Sequence, residues 1–133
     1  MKRVLVIVAQ ASDGSFWCHT EDDVYGGGLN GAGLSVKDAK ADLMACLEDA
    51  KADYVESGNI PYEVEFYYQY DLQSFFDYFS FLNVTEIAKR AGINPSLMRQ
   101  YTRGIKNAGE KTYERLEDCM ADITKDLQVA SFR

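Results

Sequence analysis

The sequence predicts an α+β protein: strands with one long helix up to residue 70, and helices alone from residue 71 onward. Three observations carry this. β-branched and aromatic runs lie near the N-terminus and again over residues 62–70, while apolar residues elsewhere recur every three or four positions. At 133 residues and 47% apolar, the chain is long enough for one domain or two small modules with buried cores. Charge also changes along it. Residues 1–80 hold five Lys/Arg and fourteen Asp/Glu, a net of −9, and residues 81–133 hold nine and seven, a net of +2.

Val4-Leu5-Val6-Ile7-Val8-Ala9 is nearly continuous and β-branched, which predicts a central strand covered on both faces. Asp13-Gly14 is a turn signal, and Ser15–Thr20 is the second strand of a hairpin. Val24–Gly33, rich in glycine, reads as a short irregular edge strand. Ser35-x-x-Asp38 resembles a capping box opening a helix on which Val36, Ala39, Leu43, Leu47, Ala50 and Tyr54 share a face. Ser57–Pro61 stops that helix. Tyr62–Tyr70 is a strand with Tyr62, Val64, Phe66, Tyr68 and Tyr70 on one side. The order is β-β-β-α-β over residues 1–70.

The second module, residues 71–133, opens with an apolar stripe of Leu72, Phe75, Phe76, Phe79 and Leu82. Asn83-x-x-Glu86 caps a short helix that Gly92 ends. Asn94-Pro95 starts another, with a good cap and then proline where no N–H is needed. Arg103–Gly109 is a loop. A last helix sets Tyr113, Leu116, Met120, Ile123 and Leu127 in a narrow seam suited to a neighbouring helix or a second chain.

Two short helices joined at a glycine, the second capped and basic, form a helix-turn-helix pattern. Ala88 is small where the helices approach, and Ile87, Ile93, Met98 and Tyr101 point inward. Asn94, Ser96, Arg99, Gln100 and Arg103 are left facing outward, and such a helix fits the DNA major groove. Ser96 and Gln100 are candidates for reading bases, Gln100 through a bidentate pairing with adenine. Arg99 reads guanine or binds phosphate, and Arg103 and Lys106 bind phosphate. Asn83 and Thr85 bring the first helix's N-terminus to a phosphate.

Other chemistry is not expected. Two-metal phosphodiester cleavage needs a carboxylate on the central strand, and Val4–Ala9 has none, so no enzyme activity is predicted. Cys18, Cys46 and Cys119 lack metal-ligand spacing, and His19 is the sole histidine, so no metal or other cofactor is expected. Three reduced thiols fit a cytoplasmic location. No apolar run reaches the length of a membrane span.

Residues 84–104 resemble the helix-turn-helix of the phage-repressor class. Residues 1–70 resemble the N-terminal domain of HicB-type antitoxins, a partial ribonuclease-H-like (RNase H-like) fold with the same β-β-β-α-β order. Gly33-Leu34-Ser35-Val36-Lys37-Asp38-Ala39 is similar to that family's Gly-x-Thr-x-x-Glu-Ala at the helix entry, with serine and aspartate replacing the commoner threonine and glutamate. The resemblance implies an antitoxin that caps a small basic HicA-like toxin, an mRNA-cleaving enzyme, and that represses its own operon by binding double-stranded operator DNA. A homodimer or dimer of dimers is expected, because one recognition helix covers too few base pairs to be selective. The alternative is a stand-alone transcription regulator whose N-terminal domain dimerises or binds a small ligand.

Overall fold

The β-branched run at the N-terminus forms β1 (Lys2–Gln10) in the computed structural model, which describes residues 1–133. With β2 (Phe16–Thr20), β3 (Asn30–Gly33) and β4 (Val64–Tyr70) it makes a mixed sheet in the order β3-β2-β1-β4. β1 runs antiparallel to β2, with Val8 opposite Cys18, and parallel to β4, with Val4 opposite Phe66. The β1–β2 turn is closed by Ala11 N–H donating to Ser15 O at 2.8 Å. Gly14 takes a φ of 88° there. Ser15 donates to the Asp13 carboxylate through its N–H and hydroxyl, at 2.9 and 2.6 Å, which holds that carboxyl below its ordinary value.

α1 (Val36–Glu56) connects β3 to β4 and packs on one face of the sheet. Ser35 Oγ accepts from Asp38 N–H at 3.0 Å and caps it. Ala39, Leu43 and Leu47 are buried against Val4, Val6, Val8, Phe16 and Cys18. Tyr62, Val64, Phe66, Tyr68 and Tyr70 pack around this core from the β4 side. One expectation is corrected here. β1 is interior in the sheet, yet only one of its faces is fully covered: Arg3 is exposed and Leu5, Ile7 and Ala9 are half-buried. A single crossover helix supplies one layer, so the strand alternates in burial despite its uniform sequence.

The glycine-rich stretch supplies the short edge strand expected of it, and Gly31 has a steric reason beyond that expectation. Ordered strand is confined to Asn30–Gly33, and Val24–Gly27 forms a tight bridge. A Cβ on Gly31 would stand 2.4 Å from Ala39 O and 2.5 Å from Leu43 N, so hydrogen alone fits between β3 and α1. Tyr25 adopts a left-handed φ of 54°. Its N–H donates to Tyr62 Oη at 2.9 Å, its hydroxyl donates to Tyr62 O, and its ring lies 4.7 Å from that of Tyr62 and 5.2 Å from that of Tyr54. These contacts offset a backbone cost of about 1–2 kcal/mol.

The chain divides into two compact units, Met1–Phe75 and Phe76–Arg133. The division falls inside α2 (Leu72–Tyr78), a little beyond the expected boundary at residue 70. Asp71 N–H donates to Val8 O at 2.7 Å and Gln10 N–H to Ser74 Oγ at 3.1 Å, which ties the first turn of α2 to the sheet.

The second unit is all helical. α3 (Val84–Ala91), α4 (Pro95–Thr102) and α5 (Glu110–Val129) bury Ile87, Ala88, Ile93, Met98, Tyr101, Leu116 and Cys119. The expected seam on α5 is covered only in part, with Tyr113 half-buried at its start. Leu116 and Cys119 are its buried pair, Met120 and Ile123 are half-buried, and Leu127 is 69% exposed. Contact with α3 selects the Leu116–Cys119 stripe and leaves the distal end of the seam in solvent. No helix is long and apolar enough to cross a membrane.

Candidate nucleic-acid interface

α3 and α4 each begin with an asparagine cap. Asn83 Oδ1 accepts from Glu86 N–H at 3.1 Å, and Asn94 Oδ1 accepts from the N–H groups of Ser96 and Leu97 at 2.9 and 3.2 Å. Proline at position 95 follows the second cap, in a first turn that has no use for its missing N–H. Gly92 ends α3 in the left-handed conformation, φ 74°, which an L side chain would strain. Ile93 N–H then donates to Ala88 O at 2.8 Å, turning the chain directly into α4.

α5 clamps this helix pair from behind. Arg115 Nη1 donates to Gly92 O at 3.1 Å, across the turn. Arg90 Nη2 meets Asp126 Oδ2 at 2.5 Å, which raises the guanidinium's pKa further. Cys119 Sγ lies 4.0 Å from Ile87 O, and burial pushes its thiol pKa up. Cys119 is expected from the sequence only as a reduced thiol, and Arg115 and Asp126 carry no expectation there. Cys119 was readable from its spacing of three after Leu116, whereas Arg115 had no local signal because its acceptor lies 23 positions earlier.

With the angle between the helices set, α4 has two distinct sides. Met98 and Tyr101 are buried, and Asn94, Ser96, Arg99, Gln100 and Arg103 are exposed. Lys106 and Ile105 are exposed in the following loop, which Gln100 O holds by accepting from their N–H groups at 3.4 and 3.0 Å. Asn83 is exposed and Thr85 half-buried on the first turn of α3. The structure brings three of these candidates into one network. Arg99 Nη1 donates to Thr85 Oγ1 at 3.4 Å and Nη2 to Ser96 Oγ at 3.2 Å.

Charge around the site is more selective than the sequence count suggests. Lys89 lies 3.6 Å from Glu86 and Arg90 is paired with Asp126, so both are answered within the unit. The cations presented beside α4 are Arg99, Arg103 and Lys106. The two caps likewise spend Asn83 Oδ1 and Asn94 Oδ1 on the backbone, leaving each side-chain amide N–H₂ as the group to offer a phosphate.

Elsewhere, no three His, Cys, Asp or Glu side chains converge as a metal-binding group. Comparison with protein families, curated proteins and solved structures returns no match. The class defined on structural grounds is therefore a mixed α+β protein with five helices and a four-stranded sheet, whose strands all precede residue 71.

Proposed function

We propose that this chain is a non-enzymatic DNA-binding autorepressor and antitoxin of the HicB-like kind, cytoplasmic and dimeric or a dimer of dimers. Its Phe76–Arg133 unit acts as a helix-turn-helix domain, and its Met1–Phe75 unit, of partial RNase H-like type, caps a small basic HicA-like toxin. One observation carries the DNA half. α4 buries Met98 and Tyr101 while presenting Ser96, Arg99, Gln100 and Arg103 to solvent, the division a helix needs to enter the major groove. In that pose Gln100 pairs with adenine, Arg99 with guanine, and Arg103 and Lys106 neutralise phosphates.

Charge supports the toxin half. On the observed division the first unit carries five Lys/Arg against thirteen Asp/Glu, a net of −8, and the second nine against eight, a net of +1. A ribonuclease that grips RNA presents positive surface, which complements the net negative charge of the first unit.

Binding of the full chain to duplex DNA from upstream of its own reading frame, measured against salt, tests the DNA half. Arg103→Ala should weaken all sequences alike and make the salt slope shallower by about one unit. Gln100→Ala should instead relax preference at one base position. Unchanged binding in both variants would refute this docking. For the toxin half, co-expression with a neighbouring short basic reading frame should restore growth, and continued toxicity would remove that half alone.

A further inference from the structure

Arg99 is exposed, and an exposed arginine ordinarily samples many rotamers. Here it is tied at both terminal nitrogens to hydroxyls on different helices, Thr85 on α3 and Ser96 on α4. Each anchor sits on the capped first turn of its helix. Thr85 sits half-buried on the first turn of α3, one position before the N–H that Asn83 caps. Ser96 gives its backbone N–H to Asn94 Oδ1 at 2.9 Å. The two helices bearing them are held by the Gly92 turn and by Arg115 on its carbonyl. The guanidinium is thus restrained at both terminal nitrogens by the protein's own hydroxyls.

We propose that Thr85 and Ser96 are positioning residues that hold the Arg99 fork ready for a guanine, and that neither contacts a base itself. This rests on the DNA-binding reading above and revises it for Ser96, whose hydroxyl was a candidate base reader. The donor inventory fits. A guanidinium has five N–H donors, and Thr85 and Ser96 take two, leaving the others for a planar pair of acceptors. Guanine offers such a pair, N7 and O6, side by side in the major groove. A phosphate can also take a fork, but it carries no sequence information, so only pairing with a base turns the held plane of the fork into a preference at one position.

The test presents a randomised duplex pool to the full chain and reads base frequencies in the retained fraction. Wild type should enrich guanine at one position. Arg99→Lys, which keeps the charge and loses the fork, should lower that enrichment by about tenfold. Thr85→Val and Ser96→Ala should lower it at the same position by about threefold each and leave other positions alone. Thr85→Ser, which restores the hydroxyl, should recover it. In the Arg99→Lys background, Thr85→Val and Ser96→Ala should change nothing further.

Several results would overturn the proposal. If Ser96→Ala shifts a position that Arg99→Lys does not touch, Ser96 reads that base directly. If Thr85→Val and Ser96→Ala leave the guanine preference intact while their unfolding midpoints match wild type, the hydroxyls position nothing. Retention with no Arg99-dependent guanine defeats this inference and leaves DNA binding standing. A wild type that retains no duplex defeats both.

Discussion

Asn94 illustrates how much one residue can declare. Its side chain closes the first turn of α4, and both the cap and the proline after it were legible because every partner lies within three positions. Gly92 was legible for the same reason: a left-handed residue between two short amphipathic runs calls for glycine. Asn94→Ala should destabilise the chain by about 1 kcal/mol, read as a shift in denaturant midpoint without a change in slope. Arg115 and Asp126 were not legible, since their partners come from another helix and charged residues on an exposed helix normally face water. The thiols separate by position as well. Burial pushes up the pKa of Cys18 and of Cys119, and Cys46 is half-buried on α1. Alkylation of the native protein at mildly alkaline pH should therefore label Cys46 first, as peptide mass mapping will show.

Among the elements, β-branched runs, turn residues and periodicity together placed the strands and helix of residues 1–70 in order, and the caps placed the short helices of the second unit. Coverage was the harder property. Val4–Ala9 is apolar at every position, so nothing in its pattern states that α1 seals one side and leaves Leu5 and Ile7 half-buried on the other. The α5 seam was legible in part: Leu116 is buried and Tyr113, Met120 and Ile123 are half-buried, but a three-four spacing fits several adjacent stripes and did not mark Cys119, which faces α3. β3 carries the sharpest structural test. Gly31→Ala would drive a methyl group against the backbone of Ala39 and Leu43, where no side chain can swing aside. Strand or helix must shift, at a cost of about 2–3 kcal/mol, lowering the melting temperature by about 10 °C or more. Substitution of Gly27, whose Cβ would meet nothing within 4 Å, should be far milder.

Across the whole molecule, the chain joins two units of opposite electrostatic character, and this was legible from counting charges by segment. Counting did not reveal which cations are answered: Lys89 and Arg90 are paired within their unit, while Arg99, Arg103 and Lys106 are exposed on and just after α4. The acidic unit repels a duplex, so contact should be confined to the second unit, and its strength should fall steeply with added salt. Backbone amide NMR of the full chain, titrated with duplex from upstream of its reading frame, reads this most directly. Shift changes should concentrate in residues 94–106 and the first turn of α3, with the sheet unaffected. Changes confined to residues 1–75, or an α4 that stays silent while the duplex binds, would contradict the proposed role of that helix.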